Sequence, residues 1–196
     1  MALALGALLV VISPTLRASV AVGVYALSLT VLFTVSAVYH RVQWSPRARA
    51  AMRRADHASI FILIAGSYTP ISLLGVGGAA GTRLCIAVWC GAFVGVMQSL
   101  FWAGAPKWVQ ALLAVGVGWM VVPYLGDVRR TIQAEQIWLM LAGGIAYTLG
   151  AVVYATKKPD PRPRVFGYHE VFHALTIVGA ALHFVAVLQI VRRLGS

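Results

Sequence analysis

The sequence predicts an all-α membrane protein, a single bundle of seven transmembrane helices over residues 1–196 whose first helix is truncated at its start. Hydrophobic residues make up 60% of the chain and charged residues only 11%, and the mean hydropathy is +0.84. Ordinary soluble domains do not have this composition. Apolar runs alternate with short polar links, which leaves no room for a separate soluble domain.

Most of the apolar runs have the length that a helix needs to cross about 30 Å of hydrocarbon, which is about 20 residues. The first run is the exception, because its 12 residues extend only about 18 Å as a helix. It also lacks the basic start of a signal peptide, so we expect a first transmembrane helix whose beginning is missing. The seven runs cover residues 1–12, 18–39, 56–74, 84–102, 108–125, 137–154 and 169–191.

Helix-breaking residues and polar links separate the second run from the fourth. The link over residues 41–55 holds five arginines, and we expect its Pro46 to break the helix. Pro70 lies inside the third run, where it removes a backbone donor and should bend the helix. The glycine-rich stretch 75–81 predicts the next turn.

The later runs carry packing and interface signals. Gly91 and Gly95 have the small-xxx-small spacing that lets a neighbouring helix approach closely. Trp102 and Trp108 flank a short link, as indoles at a membrane interface do. A link rich in proline and basic residues, residues 157–167, precedes the last run.

The net charge of +11 comes from lysines and arginines in the links and near the ends of the chain. In that position their expected partners are anionic lipid headgroups and not nucleic acid. Cys85 and Cys90 lie within one apolar run, and a spacing of five residues points them about 140° apart on a helix. We interpret both as packing residues.

The distribution of lysine and arginine predicts the orientation in the cell membrane. Ten of the sixteen basic residues fall in the links after the second, fourth and sixth runs. By the positive-inside rule, these links are cytoplasmic. The N-terminus is then cytoplasmic and the C-terminus lies outside.

Polar residues at the ends of three runs predict a site on the cytoplasmic side. His169 and His173 are four residues apart and share one face of a helix, so both rings can reach one metal ion. His40 ends the second run and Asp56 begins the third. Alternating helices bring these three ends to the same side of the bilayer, and ionisable groups at that depth indicate function.

The residue types favour zinc. Three neutral imidazoles with one open position are the ligand set of catalytic zinc, and no thiolate is nearby. Asp56 could then orient a water molecule at the metal or move its proton, although an acidic residue at a helix start is also favoured by the helix dipole. Ser36 lies one turn before His40, where its hydroxyl could contact water or substrate, or bond its own helix.

The segment that holds His169 and His173 also allows a second interpretation of the site. The segment from His169 to His173 matches the HExxH pattern of zinc metalloproteases, in which Glu170 would be the general base. This interpretation leaves His40 and Asp56 unexplained. We expect His57 to face away from the site, and we interpret His183, about 15 Å further along its helix, as a buried polar contact.

Together, Ser36 and His40, then Asp56 with the segment Ile64-Ala-Gly-Ser-Tyr-Thr-Pro70, then His169 and His173, resemble the hemolysin III branch of the progestin and adipoQ receptor superfamily. The resemblance covers most of the chain. It implies a seven-helix bundle with zinc held by the three histidines and Asp56 holding the water at the metal. It also implies kinship with alkaline ceramidases, which cleave lipid amides.

Three functions are compatible with these residues. The first is a zinc hydrolase of a lipid amide or ester, which explains an open coordination position. The second is a membrane receptor or regulator of lipid homeostasis with a structural zinc, and the third is a cytolytic protein. A channel should have polar residues along several helices, and the fourth to sixth runs have almost none.

Overall fold

The computed structural model describes residues 2–102, 104–163 and 165–195. Met1, which begins the first run, Arg164 in the last link, Ala103 and Ser196 lie outside the described residues. The described chain folds into α-helices joined by short links: α1 Ala2–Val11, α2 Leu16–Arg41, α3 Pro46–Pro70, α4 Gly78–Phe101, α5 Lys107–Gly118, α6 Leu125–Thr131, α7 Ala134–Thr156 and α8 Tyr168–Leu194.

Six helical segments of the described chain are long and apolar enough to cross a membrane, and α1 is a shorter apolar helix beside them. One of the six combines α5 and α6, and another combines α3 with the turn that follows it. The prediction of an all-α bundle of seven helices is therefore confirmed.

The third helix begins ten residues earlier than the apolar run predicts. Pro46 does not break a helix but occupies its first turn, and Ser45 caps it by accepting a hydrogen bond from the Ala48 N–H. A proline is well accommodated there because its missing N–H would have no helical partner. Four of the five arginines assigned to the link therefore lie on the first turns of α3.

The far end of α3 changes geometry after Pro70. Residues Ile71–Val76 form a π-helical turn, and Gly77, with φ 68° and ψ −178°, connects it to α4. The proline removes a backbone donor, so the regular hydrogen-bond ladder cannot continue through it. The helix therefore changes its geometry at the position where the sequence predicts a bend, and the connection to α4 is much shorter than the stretch 75–81.

The fifth span is interrupted and longer than predicted. Helix α5 ends at Gly118, a 3-10 turn covers Val122–Tyr124, and α6 completes the span to Thr131. Pro123 lies in that turn, where an α-helix could not keep its hydrogen bonds.

Close packing between helices holds the bundle together, because lipid tails are as apolar as leucine and supply little hydrophobic driving force. The span formed by α3 and its π-helical turn is the most buried of the six. Gly66 of α3 packs against Ser28 of α2, and Gly95 of α4 packs against the ring of Phe61 on α3. These glycines allow α2 to pack closely on α3 and α3 on α4, which sets the positions of these three helices.

Candidate metal centre

Three histidine side chains from two helices converge at one end of the bundle. His40 is the penultimate residue of α2, and His169 and His173 lie on the first two turns of α8. The Nε2 atom of His169 is 3.3 Å from Nε2 of His40 and 3.1 Å from Nε2 of His173. One ligand atom from each ring lies within 4.8 Å of the others.

This arrangement fits a metal ion better than it fits hydrogen bonding. The Nε2 atom of His169 faces two other Nε2 atoms, yet a neutral imidazole nitrogen carries either one proton or one lone pair. It cannot make two good hydrogen bonds in the ring plane. Two nitrogens bound to tetrahedral zinc at about 2.0–2.1 Å lie about 3.3 Å apart, which agrees with the separations in this cluster.

Asp56 lies beside the cluster without belonging to it. Its carboxyl group lies near the Ser36 hydroxyl and His40 and interacts with both. The ligand atoms that come within 4.8 Å of one another are those of the three histidines alone among the described residues. The structure therefore brings together all five residues that the sequence singled out, with Asp56 and Ser36 paired at the edge of the histidine cluster.

Two cavities meet at this centre. The outer cavity, about 410 Å³, is lined by polar and basic residues that include His40, Arg53, Lys107 and Tyr168. The inner cavity, about 120 Å³, runs into the bundle between residues such as Leu63, Ile64, Ala114 and Phe172. Five junction residues line both cavities: Asp56, His57, Gln110, Tyr154 and His169.

The expectation that His57 faces away from the site is wrong. Its ring lines both cavities, and its Nε2 atom is 3.3 Å from the Tyr154 hydroxyl. A rotation of about 100° from Asp56 turns His57 toward α7, which closes the other side of the same cavities. Helical spacing alone could not reveal this, because the position of α7 depends on packing.

Sequence reasoning also missed a basic residue held inside the outer cavity. The Lys107 ammonium donates a hydrogen bond of 2.9 Å to the Tyr168 hydroxyl. It lies 4.4 Å from the ring centroid of Tyr154 and 4.6 Å from that of Tyr168. These contacts are cation–π interactions, and they place a positive charge at the cavity wall beside His169.

The remaining candidates have structural contacts. Glu170 accepts a hydrogen bond of 2.9 Å from the Gly167 N–H and thereby caps α8, which does not favour the protease interpretation. His183 is buried, and its Nε2 atom is 3.1 Å from the Met140 carbonyl oxygen. Both Cys85 and Cys90 are free thiols, and Cys90 is exposed on the surface of α4.

Comparisons with known proteins agree with this architecture. The family description "Haemolysin-III related" matches residues 1–184. "Hemolysin-3" of Bacillus cereus is 28% identical over 89% of this chain and 76% of its own length. The human "Monocyte to macrophage differentiation factor" is 23% identical over 87% of this chain and 70% of its own, and the rice "Heptahelical transmembrane protein ADIPOR2" is 29% identical over 73% and 69%.

Proposed function

The chain belongs to the haemolysin-III related family of membrane proteins, and on that premise we propose that it is a zinc-dependent hydrolase of lipid amide or ester bonds. One observation carries this proposal: the histidine cluster reaches, through His169, the junction between an outer cavity with polar and basic lining residues and an apolar inner cavity. A lipid has the same division into a polar head and an apolar chain, and its amide or ester bond lies between them.

His40, His169 and His173 would hold the metal through their Nε2 atoms. Bound zinc supplies a Lewis acid that polarises a carbonyl group and makes water more acidic. The imidazoles must be neutral to act as ligands.

Asp56 has the role of general base. In the overall reaction, water adds to the carbonyl carbon and the bond to nitrogen or oxygen breaks, which yields a fatty acid and an amine or alcohol. Asp56 would accept the proton from water and return it to the leaving atom. Ser36 supports this role, because its hydroxyl interacts with the carboxyl group and would orient the carboxylate.

The two cavities support a lipid substrate. The acyl chain would enter the inner cavity, among residues such as Leu63 and Phe172, and the headgroup would remain in the outer cavity near Lys107. The bond between them would then lie beside the junction residues Asp56 and His169. The predicted orientation places this site at the cytoplasmic leaflet of the cell membrane, with an intracellular N-terminus and an extracellular C-terminus.

A specific contact favours a second candidate function, a receptor or regulator in which zinc is structural. Helices α2 and α8 meet at His40 and His169, and again where the Tyr25 hydroxyl lies 3.5 Å from the Ala180 carbonyl oxygen. A metal bound by these histidines would link the two helices without catalysing a reaction. A relative bears the name "Hemolysin-3", so lysis is a third outcome to measure.

The test combines metal analysis with lipid mass spectrometry on the purified protein. The proposal expects about one zinc per chain and a time-dependent release of fatty acid from an amide or ester lipid, abolished by a chelator and restored by zinc. One zinc per chain without release of fatty acid from any lipid would refute the hydrolase and favour the receptor or regulator. Leakage of lipid vesicles under the same conditions would favour cytolysis.

A further inference from the structure

Gln110, near the start of α5, is a buried side chain with an unused hydrogen-bond donor. It is 6% exposed, and its Nε2 atom is buried without a hydrogen-bond partner among the described residues. A buried polar group that is left unpaired is costly, so each one calls for an explanation.

The position of Gln110 supplies that explanation. Gln98 and His183 also carry a buried atom without a described partner. However, Gln98 lines the outer cavity and not the inner one, whereas His183 lines the inner cavity and not the outer one. Gln110 is one of the five junction residues that line both the outer and the inner cavity. Its free donor therefore lies where a polar head and an apolar chain would join.

The partner must be an acceptor. An N–H of a carboxamide donates, so it selects a group such as a carbonyl oxygen. The other junction residues already have assigned contacts or roles: Tyr154 and His57 lie within 3.3 Å of each other, and His169 belongs to the histidine cluster. The carbonyl at the linkage of a lipid is the acceptor that reaches this depth once the chain has entered the inner cavity.

We infer that the Gln110 carboxamide binds the carbonyl oxygen of the substrate's amide or ester linkage and so positions that carbonyl beside the histidine cluster and Asp56. The inference rests on the proposed function and adds the residue that recognises the scissile group. It makes Gln110 a specificity-determining residue, which selects acyl lipids over ether lipids of the same shape.

Two lipids that cannot be hydrolysed test this without turnover. In a ketone analogue of an ester lipid, a methylene group replaces the linkage oxygen; in the matching ether, a methylene group replaces the carbonyl. Their affinities are compared by displacement of a fluorescent fatty-acyl probe from the purified protein. We expect wild type to bind the ketone roughly fivefold more tightly, the value of about one hydrogen bond, and Gln110→Met to bind both equally.

Gln189→Met on α8 is the matched control. Gln189 also has a buried amide atom without a described partner, and its Nε2 donates to Glu135. It lines neither cavity, so this variant should keep the wild-type preference for the ketone. Gln110→Leu, which removes the amide and leaves an apolar side chain, should also lose the preference and provides a second test if Gln110→Met does not fold.

Thermal unfolding separates recognition from structure. Gln110→Met removes an unpaired buried donor, so its Tm should equal or exceed that of wild type. An unchanged ketone preference in both Gln110 variants, or no preference in wild type, overturns the inference. If the Gln110 variants alone lose the ketone preference and the wild-type protein hydrolyses no lipid, the inference is supported and the hydrolase proposal is refuted. If Gln110→Met hydrolyses lipid with the KM and kcat of wild type, the inference about Gln110 is refuted and the hydrolase proposal stands.

Discussion

Replacing Asp56 by asparagine separates catalysis from metal binding. Asp56 lies outside the group of converging ligand atoms, and its carboxyl group contacts Ser36 and His40. Asparagine has the same size and can still interact with the Ser36 hydroxyl, so the fold and the histidine cluster should be retained. The variant loses only the negative charge and the ability to accept a proton.

The expected magnitude follows from the role of a general base. Its loss lowers turnover by around 10²–10⁴-fold, which corresponds to a barrier higher by about 2.7–5.5 kcal/mol. Zinc content, in contrast, should remain near that of wild type. Both are measured on one preparation, by elemental analysis of the metal and by mass spectrometry of the released fatty acid.

The matched control is Asp127→Asn. Asp127 lies on the first turn of α6, at the opposite end of the fifth span from Lys107, so this variant should keep both zinc and activity. Loss of zinc in Asp56→Asn would make Asp56 a ligand and refute the assignment. Full zinc with full activity would refute the role of Asp56 as a base.

Three further predictions concern the metal, the orientation and the packing. His173→Ala should lose most of the zinc that elemental analysis detects, whereas His183→Ala, ten residues further along α8, should keep it; equal zinc in both would refute the site. A cysteine at Val42, which is 45% exposed in the link between α2 and α3, should resist an impermeant maleimide in intact cells and react after permeabilisation; efficient labelling from outside would invert the topology. Gly95→Ala should lower the free energy of unfolding by about 1–3 kcal/mol, because a Cβ there would overlap an aromatic ring of α3. Gly116→Ala, with no neighbour within 4 Å, should leave it unchanged or raise it in the same unfolding assay, because alanine favours a helix more than glycine does.

The positions of the helix ends and interruptions show which local features the sequence predicts and which it misses. The apolar run placed the start of α3 at Asp56, but the Ser45 cap and Pro46 start it earlier, because arginines are tolerated in a helix once it leaves the hydrocarbon. Pro70 marks the residue after which the α-helix changes to a π-helical turn. Pro123 was overlooked, although the same chemistry interrupts the fifth span.

The sequence by itself determined the class of the protein, its seven helices and the ends of the apolar runs that carry His40, Asp56 and His169, because hydropathy and helical spacing are local properties. Only the tertiary structure decided which side chains from distant helices share a space. His57 and Gln110 belong to the junction of two cavities because α3, α5 and α7 pack around it. That arrangement depends on the close approach of particular residues, such as Gly95 to Phe61, and no periodicity along one helix encodes it.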